Sequence, residues 1–559
     1  MDRHRRRVGV ALAGLVPLGF LGVFFAWPVA SILARGLLVD GALDLGGFAE
    51  VFDSDRTWRI IGQTLAQSVA GTTLAVLLGV PGAYVLYRCR FPGRAVVRAL
   101  VTVPFVLPTV VVGVAFRSLL VDGGALAFLD ADGTFAAIVA ALVFFNYAVV
   151  VRTVGAMWAH LDPRAEQAAR ALGASPARAF REVTLPALTP AIASAASLVF
   201  LFCATAFGTV LVLGGPAYGT VETEIWIQTT QFLDLRTAAV LSTVQLAVVT
   251  LSLTVSAWSR RRRETALRVQ SDAETARPLR RADLPAVLVT AAVVLALLMA
   301  PLASLLAGSL RTPDGWGLHN FANLATNGQR STAEPGLGVG LEVSVWQAAL
   351  NSLRIAVDAT LIAMVVGVLV CVLVTRRPHQ PGARRALSVF DAVFMLPLGV
   401  SAVTVGFGFL ITLDRPPLDL RSSVVLVPIA QAVVAVPLVI RTLLPVLRSI
   451  DERLREAAAV LGAGPARVFT AVDLPVLGRS LGLAVGFAFA VSLGEFGATS
   501  FLARPDRPTL PVVIFRLIGR PGADNLGMAL AASVVLAAMT TLVIGLAERF
   551  RVHSAGAEV

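Results

Sequence analysis

Glu456-Ala457-Ala458-Ala459-Val460-Leu461-Gly462, followed by Leu474-Pro475, is a stretch of helix-forming residues that interrupts otherwise apolar sequence. A second copy begins at Gln167-Ala168-Ala169 and continues through Gly173 to Leu185-Pro186. The two glycines are 289 residues apart and so are the two prolines, so neither copy has gained or lost a residue between these landmarks. Two copies at one spacing indicate a chain built from two tandem halves.

The residue types in each copy predict two short helices joined at the glycine. Alanine and glutamate favour a helix, and glycine readily takes the left-handed conformation that ends one. Ser175-Pro176 and Gly464-Pro465 then supply a turn and a proline suited to the first turn of the next helix. A single copy would fit an ordinary surface helix-turn-helix, but repetition at one spacing favours a functional role.

The composition is that of a polytopic membrane protein. Of the 559 residues, 56% are hydrophobic and only 15% are charged, with a mean hydropathy of +0.78. This is too apolar for a soluble globular chain. The net charge of +12 comes from arginines at the ends of apolar runs, which indicates membrane topology rather than binding to nucleic acid. All 47 basic residues are arginine, so the lysine of an ordinary phosphate-binding loop is missing.

Apolar runs of about 20 residues, the length that crosses a bilayer, recur along the chain. We predict an all-α polytopic protein of two tandem six-helix halves, about 12 transmembrane helices in total. The first half covers 1–258, a charged cytoplasmic linker covers 259–283 and the second half covers 284–559. The first predicted span extends to about residue 33. The other eleven lie at about 60–87, 99–120, 135–158, 189–213, 236–258, 284–308, 348–375, 386–412, 422–446, 478–502 and 524–547, and 218–235 is predicted as an outer segment.

Arginine clusters predict the orientation of these spans. Arg260 to Arg263 follow the sixth span, and Arg549 and Arg551 follow the twelfth, whereas the loop at 37–57 is acidic. Because arginine accumulates on the cytoplasmic side, we expect both termini and both polar repeats in the cytoplasm.

The repeat extends into the membrane spans. Gln63-Thr64-Leu65 corresponds to Asn351-Ser352-Leu353 at an offset of 288, and Phe207-Gly208 corresponds to Phe496-Gly497 at 289. Repetition of a six-span block in one orientation implies a pseudo-twofold axis along the membrane normal, with the halves facing a central path.

The repeated stretch resembles the EAA loop of ABC-importer permeases, the cytoplasmic loop through which a membrane subunit grips its ATPase. We refer to residues 163–186 and 452–475 as the first and second EAA-like loops. The second matches the family pattern in full, whereas the first has Gln167 in place of the leading glutamate, with Glu166 one residue earlier. The resemblance implies a type I ABC-importer permease fold. It also implies ATPase-coupling roles for Glu166, Gln167, Ala168, Ala169, Gly173, Leu185, Pro186, Glu456, Ala457, Ala458, Gly462, Leu474 and Pro475.

The second half is similar to the thiamine and ferric-iron permeases within that family. The similarity rests on the segment from Ser492 to Ala498, on Thr509-Leu510-Pro511, and on Ile518-Gly519, which favours thiamine over iron. The resemblance implies a bacterial inner-membrane importer that receives a small solute from an extracytoplasmic binding protein. Its other partners would be two copies of an ABC ATPase subunit and the lipid bilayer, with no nucleic acid. The chain itself would have no catalytic site and would bind no cofactor or metal, because ATP would be used by the partner. A possible translocation path includes Glu495, Phe496, Gly497, Phe207 and Gly208.

Glu495 has two interpretations. A charged side chain within a span is costly and usually has a role. It could attract a cationic solute, or it could fix helix packing by pairing with an arginine such as Arg354 or Arg117. Its counterpart in the first half is Ala206, so a symmetric acidic ring is excluded.

Two other classes of protein are weighed against the importer. An ion-coupled secondary transporter of the major facilitator type also has parallel six-span repeats, but its recurrent polar loop lies between spans two and three, whereas here it lies between four and five. A membrane-embedded enzyme is the other class. The chain has only five histidines and no pairing of histidine with carboxylates at metal-ligand spacing, which argues against it.

Overall fold

The computed structural model describes residues 14–121, 123–215, 218–261, 277–312, 315–326, 341–375, 390, 393–394, 396–414 and 418–553. These residues are largely helical. The helices are Gly14–Leu37, Gly46–Asp53, Asp55–Arg88, Arg94–Val106, Thr109–Leu120, Phe135–His160, Pro163–Ala171, Pro176–Ala204, Gly208–Leu213, Val221–Thr230, Leu235–Arg261, Arg281–Leu310, His319–Ala322, Val345–Thr375, Ala402–Thr412, Leu426–Ser449, Glu452–Val460, Pro465–Val468, Leu474–Gly494, Thr499–Leu502, Leu510–Ile518 and Ala523–His553. Short strands occur at Leu38–Val39, Ala42–Leu43, Cys89–Arg90, Arg277–Pro278, Arg311–Thr312 and Gly315–Trp316.

The helices confirm the predicted class of all-α polytopic membrane protein. Among the described residues, nine helices are long and apolar enough to cross a membrane, and two bent pairs raise the number to eleven. The remaining predicted span, 386–412, lies partly outside the described residues, and its described part contains the shorter apolar helix Ala402–Thr412. Most of the predicted linker, 262–276, also lies outside them.

The chain packs into two compact units that do not follow its linear order. The second-half unit contains the described residues of Met1–Gly47, Trp226–Val240 and Thr312–Val559, and the first-half unit contains those of Phe48–Ile225 and Leu241–Arg311. Within the second-half unit, the centroid of the Phe24 ring in the first helix lies 6.2 Å from the centroid of the Phe409 ring. The first half therefore contributes its first helix, Gly14–Leu37, to the second-half unit. The second half contributes its first helix, Arg281–Leu310, to the first-half unit.

The long helices of each unit make the same contact. A Cβ atom added to Gly79 would lie 2.6 Å from Val150, and one added to Gly367 would lie 2.6 Å from Val439. Only glycine allows this close approach of helix Asp55–Arg88 to its neighbour, because no side chain fits in the gap. The pairs correspond at offsets of 288 and 289, so the repeat seen in the sequence is also a repeat of packing.

A polar cluster fixes the end of the linker to the first-half unit. Residues Arg277–Pro278 pair in parallel with Cys89–Arg90. The Tyr84 hydroxyl donates a hydrogen bond of 2.7 Å to Asp283 Oδ1, and the Arg277 guanidinium donates one of 2.8 Å to the same oxygen. Because Asp283 is buried, breaking these charge-assisted bonds would be costly. Helix Arg281–Leu310 therefore starts from a fixed position.

Several predicted spans are not continuous. Helices Arg94–Val106 and Thr109–Leu120 meet at an angle of 107°, because Pro108 has no amide hydrogen to continue the first helix. The span predicted at 189–213 stops at Ala204 and resumes at Gly208, and the span predicted at 478–502 stops at Gly494 and resumes at Thr499. Continuous spans at these places were therefore a wrong expectation.

Candidate functional site

The two EAA-like loops fold alike. A helix ends just before each motif glycine, Pro163–Ala171 before Gly173 and Glu452–Val460 before Gly462. The backbone φ angles of the two glycines are +92° and +86°. This left-handed conformation carries little strain only for glycine, which explains why both copies need that residue.

The turns at the glycines are Schellman motifs. The Ala174 amide donates a hydrogen bond of 3.1 Å to the Ala169 carbonyl, and the Ala463 amide donates one of 3.0 Å to the Ala458 carbonyl. Such bonds satisfy carbonyls that the end of the helix leaves open. The second and third motif residues thus lie in the last turn of each helix, where they help to define the turn.

Each first helix of the loops also begins in the same way. The side chain of Asp162 accepts a hydrogen bond of 2.9 Å from the Arg164 amide, and Asp451 accepts one of 3.0 Å from the Arg453 amide. Aspartate is a favoured residue for capping a helix. The sequence reasoning missed both caps, although an aspartate just before a helix-forming run was the available signal.

The tip of each loop exposes a leucine. The exposed fractions of Leu172 and Leu461 are 89% and 88%, and that of the neighbouring Val460 is 87%. Gln167 and Glu456 are exposed on the same two helices. Apolar side chains grouped with polar ones at a protein surface are typical of a contact site for another protein. The leucines were not selected from the sequence, although each stands directly before its motif glycine.

Equivalent positions hold each loop together with different chemistry. In the first loop the Thr184 hydroxyl donates a hydrogen bond of 3.1 Å to Glu166 Oε2. In the second, Arg455 Nε donates one of 2.7 Å to Asp473 Oδ1. Glu166 and Arg455 are 289 residues apart, as are Thr184 and Asp473. Glu166 is therefore bonded within its own loop, whereas Gln167, the true counterpart of Glu456, is exposed.

Replacing the Arg455–Asp473 pair of the second loop by the glutamate–threonine pair of the first tests whether these pairs stabilise the loops. Arg455→Glu places a second carboxylate beside Asp473, and we expect it to lower the free energy of unfolding by about 2 kcal/mol and to reduce transport. Adding Asp473→Thr recreates the pair of the first loop and should restore most of both. The measurements are thermal unfolding of the purified protein and solute uptake by cells. Arg453→Gln is the control, because the structure uses only the amide of Arg453 at this cap. If the double variant is no more stable and takes up no more solute than Arg455→Glu alone, the two kinds of pair are not interchangeable.

Both loops end in a π-helical turn followed by a Leu-Pro pair. The turns are Phe180–Thr184 and Phe469–Asp473, and they precede Leu185-Pro186 and Leu474-Pro475. Each proline lies in the first turn of the α-helical segment that follows the π-helical turn, Leu185–Ala204 in the first copy and Leu474–Gly494 in the second, where its missing amide hydrogen is tolerated. The pair thus marks the transition from the loop to the following membrane helix.

The residues predicted to line a path lie at breaks in membrane helices. Phe207 precedes helix Gly208–Leu213, and Phe496 and Gly497 lie between helices Leu474–Gly494 and Thr499–Leu502. Interrupted helices at membrane depth occur where the backbone is buried in protein or lines a path. The Phe496 ring centroid lies 5.4 Å from that of Phe515, which lies 5.7 Å from that of Trp226, forming an aromatic row.

Glu495 caps the helix that restarts after the break. Its Oε1 accepts a hydrogen bond of 2.7 Å from the Ala498 amide, and its Oε2 accepts one of 3.0 Å from the Thr499 amide and another from the Thr499 hydroxyl. Backbone amides thus occupy the place that one of the two interpretations gave to an arginine. Arg117, one of the arginines named for that pairing, lies 4.0 Å from Asp132 instead. The reason is local, since amides freed by the break must be satisfied within the protein.

Two buried acids in the first half were missed by the sequence reasoning. Glu222 accepts a hydrogen bond of 2.9 Å from Gln245, and Glu224 accepts bonds of 3.1 and 2.9 Å from the Arg56 guanidinium. Both lie in helix Val221–Thr230, in the segment predicted as an outer connection. The prediction of an outer segment did not anticipate that this part of it is a helix whose acids are buried in the protein.

The repeated hydroxyl residues explain why that segment is buried. The Thr64 hydroxyl accepts a hydrogen bond of 3.1 Å from the Val221 amide, and the Ser352 hydroxyl accepts one of 2.7 Å from the Leu510 amide. Each bond satisfies an open amide at the start of a short helix. The match of Thr64 with Ser352 in the sequence was the signal that could have located these helices.

Comparison with known proteins adds findings that do not depend on this geometry. Residues 71–264 match the family model described as binding-protein-dependent transport system inner membrane component. A thiamine transport system permease protein of Brucella abortus (strain 2308) is 27% identical over 545 residues, which cover 94% of each chain. A putative 2-aminoethylphosphonate transport system permease protein of Salmonella typhimurium (strain LT2) is 30% identical over 255 residues, covering 44% of this chain and 87% of its own. A crystal structure of a bacterial ABC transporter involved in the import of alginate covers 47% of this chain and 98% of its own, with a TM-score of 0.41 and 17% identity.

Proposed function

The chain belongs to the family of binding-protein-dependent transport system inner membrane components, and from this premise we propose that it imports thiamine as the permease of an ATP-driven transporter. That the chain is a multi-pass membrane permease follows from its family and its apolar helices. The same membership removes the major facilitator alternative. The solute, the partners and the orientation in the membrane belong to the proposal.

The choice of thiamine rests on sequence similarity between this chain and a thiamine permease over nearly the whole length of both. The thiamine permease of Brucella abortus corresponds to 94% of this chain and of its own. Similarity therefore includes both halves and their connection, which supports thiamine over ferric iron. Trp226 and Phe515, the partly exposed rings of the aromatic row, also suit a flat cationic heterocycle, because aromatic faces attract cations.

The EAA-like loops would connect this permease to two copies of an ABC ATPase subunit. ATP binding would close the ATPase pair, and the loops would carry that movement into the membrane helices. Leu172 and Leu461 would enter apolar clefts on the ATPase, with Gln167 and Glu456 as the polar contacts beside them. Their exposure at the same position of two like-folded loops supports this role. ATP is used by the partner, and this chain binds no cofactor.

An extracytoplasmic binding protein would deliver thiamine to the membrane face opposite the EAA-like loops. Both termini would then lie in the cytoplasm, on the side of the loops, as the arginine clusters predict. The solute would pass the helix breaks near Phe207 and Phe496. Glu495 would support that region as a helix cap, since both of its oxygens already accept hydrogen bonds.

Uptake by cells that lack this gene tests the proposal. Cells complemented with the wild-type chain should accumulate labelled thiamine, and cells with the empty vector should not. Labelled ferric iron, supplied in parallel, should enter both at the same rate. If the wild-type chain supports uptake of iron and not of thiamine, ferric iron is the solute. Thiamine uptake that persists without ATP and follows a proton gradient would contradict the ATP-driven mechanism.

A further inference from the structure

The first EAA-like loop packs against a series of aromatic rings that begins at the linker. We call Tyr84, Trp158 and Phe180 the ring series, and all three belong to the first-half unit. The ring centroids of Tyr84 and Trp158 are 5.2 Å apart, and those of Trp158 and Phe180 are 6.0 Å apart, with the latter two rings stacked. Phe180 is the first residue of the π-helical turn of the loop. The ring series therefore joins helix Asp55–Arg88 to the loop through the buried ring of Trp158.

The other end of the ring series is bonded to the linker. The Tyr84 hydroxyl donates its hydrogen bond to Asp283 and accepts one from the Arg277 guanidinium. Asp283 also accepts bonds of 2.9 and 2.8 Å from Arg277 and one of 2.8 Å from the Arg280 amide. Because Asp283 lies in the first turn of helix Arg281–Leu310, the start of that helix and the first EAA-like loop lie at the two ends of one series of contacts.

A second contact joins the same end of helix Asp55–Arg88 to the loop. Arg88, one turn after Tyr84, donates a hydrogen bond of 3.4 Å to the Leu161 carbonyl. Leu161 directly precedes Asp162, whose side chain caps the first helix of the loop. The last turn of this membrane helix thus contacts the linker, the start of the loop and, through Trp158, the turn near its end.

The second half lacks the ring series, although its loop folds in the same way. At the offset of 288, Val372 stands in the place of Tyr84, and at 289 Leu447 stands in the place of Trp158. Valine cannot form the hydrogen bonds of the tyrosine, and leucine cannot form the ring stack. A folded EAA-like loop therefore does not require these residues, which indicates that they have a role other than folding the loop.

The first loop is also the one with fewer charged groups for contact with another protein. Its leading motif residue, Gln167, is uncharged, and the carboxylate of Glu166 accepts a hydrogen bond from Thr184 within the loop. The second loop exposes Glu456 at the leading position. The loop that lacks the exposed carboxylate is therefore the loop that is fixed to the linker.

We propose that Tyr84 and Trp158 are positioning residues for transport. They hold the first EAA-like loop to the linker, so that movement of the loop also moves the start of helix Arg281–Leu310. This role presupposes the function proposed above, in which an ATPase drives the loop. Packed rings and charge-assisted hydrogen bonds are contacts through which movement can pass between distant elements. The linker thereby takes part in transport, in addition to connecting the two halves.

Hydrogen exchange in the purified full-length chain tests the connection without any partner or solute. Tyr84→Phe keeps the ring and removes both hydrogen bonds of the hydroxyl, while Asp283 keeps its other bonds, so the fold should be retained. The backbone amides of Phe180–Thr184 should exchange about fivefold faster, as expected for the loss of one hydrogen bond. The amides of Phe469–Asp473, the same turn of the second loop, should exchange at the wild-type rate.

A double variant shows whether Tyr84 and Trp158 act together. Trp158→Leu introduces the residue of the second half, and it should speed exchange of the turn at least as much as Tyr84→Phe. Combining the two should cause little further change, because the hydroxyl acts on the loop through the Trp158 ring. Tyr87→Phe is the matched control. It keeps the ring that packs under the Arg98 guanidinium, and within the described part of the chain the Tyr87 hydroxyl has no hydrogen bond.

Thiamine uptake by cells that lack this gene measures the effect on transport. We expect Tyr84→Phe to lower the maximal rate about threefold at unchanged KM, since the variant changes the connection of the loop and leaves the solute path intact. Membrane abundance and unfolding temperature should equal those of the wild type, whereas a merely structural role would lower both. Tyr87→Phe should transport like the wild type.

Other outcomes would overturn the proposal. If exchange of the Phe180–Thr184 amides is unchanged in Tyr84→Phe, or if the two effects add fully in the double variant, the ring series does not connect the linker to the loop. Faster exchange with normal uptake would show a connection that transport does not use. If the wild-type chain takes up no thiamine, the proposed function fails, whereas exchange still decides for or against the connection. Should Trp158→Leu fail to give monodisperse protein, Trp158→Phe replaces it in the double variant.

Discussion

Replacing Gly462 by valine is expected to abolish transport while leaving the protein in the membrane. The φ angle of +86° is strained for any side chain and most of all for a β-branched one, at a cost of about 1–2 kcal/mol. Relief of this strain requires the turn to open, which breaks the bond from Ala463 to Ala458 and moves Leu461. Because the loop lies between spans, insertion into the membrane should be unchanged. Uptake of labelled thiamine should fall by more than about tenfold, with equal membrane abundance on immunoblots.

Two neighbouring substitutions provide the controls. Nothing lies within 4 Å of a Cβ atom added to either Gly462 or Gly464, so neither substitution meets a steric clash. Only Gly462 has a left-handed backbone, and Gly464→Ala should therefore transport normally. Gly173→Val should act like Gly462→Val, because Gly173 has a φ angle of +92° in the same turn. Normal uptake by Gly462→Val at normal abundance would show that the loop does not couple ATP use to transport.

Replacing Glu495 by alanine is expected to destabilise the second-half unit. The change leaves the Ala498 and Thr499 amides without their side-chain acceptor in a buried place. Each unsatisfied buried amide costs about 1–3 kcal/mol, so the free energy of unfolding should fall by about 3 kcal/mol. We expect a lower unfolding temperature in detergent and less protein in the membrane.

Glutamine at position 495 distinguishes a cap from a cation-binding acid. Its carbonyl oxygen can still accept a hydrogen bond from the Ala498 amide, so Glu495→Gln should keep much of the stability and a matching share of the uptake. Asp506→Asn serves as the control, since that exposed acid pairs with Arg504 at the surface, where such pairs contribute little. If Glu495→Gln folds normally and still loses uptake, the carboxylate acts on the solute.

The sequence predicted best where structure depends on a few adjacent residues. The EAA-like loops fold as expected because a glycine and a proline set the backbone conformation locally. The same holds for the two halves, since Gly79 and Gly367 repeat one helix contact. The breaks at Phe207 and Phe496 were missed, because hydropathy measures how apolar a segment is and carries no information about whether its backbone is continuous.

Other features depend on residues far apart in the chain. Glu166 looked like a substitute for a missing motif glutamate, and only the distance to Thr184 shows that it is used within its own loop. Glu222 was overlooked because its partner Gln245 lies on a later helix. The exchange of first helices was equally hidden, since the apolar face of a spanning helix does not specify its neighbour.

That exchange has a consequence for biosynthesis. The ribosome completes the first helix at Leu37 about 365 residues before it reaches Ala402, where the partner helix begins. At about 5–20 residues per second, the delay is about 20–70 s. During that time lipids or an insertion factor must cover the face that carries Phe24 and Ile32. The rate of translation between the two halves therefore controls how long the first helix of a nascent chain can pack against a wrong helix.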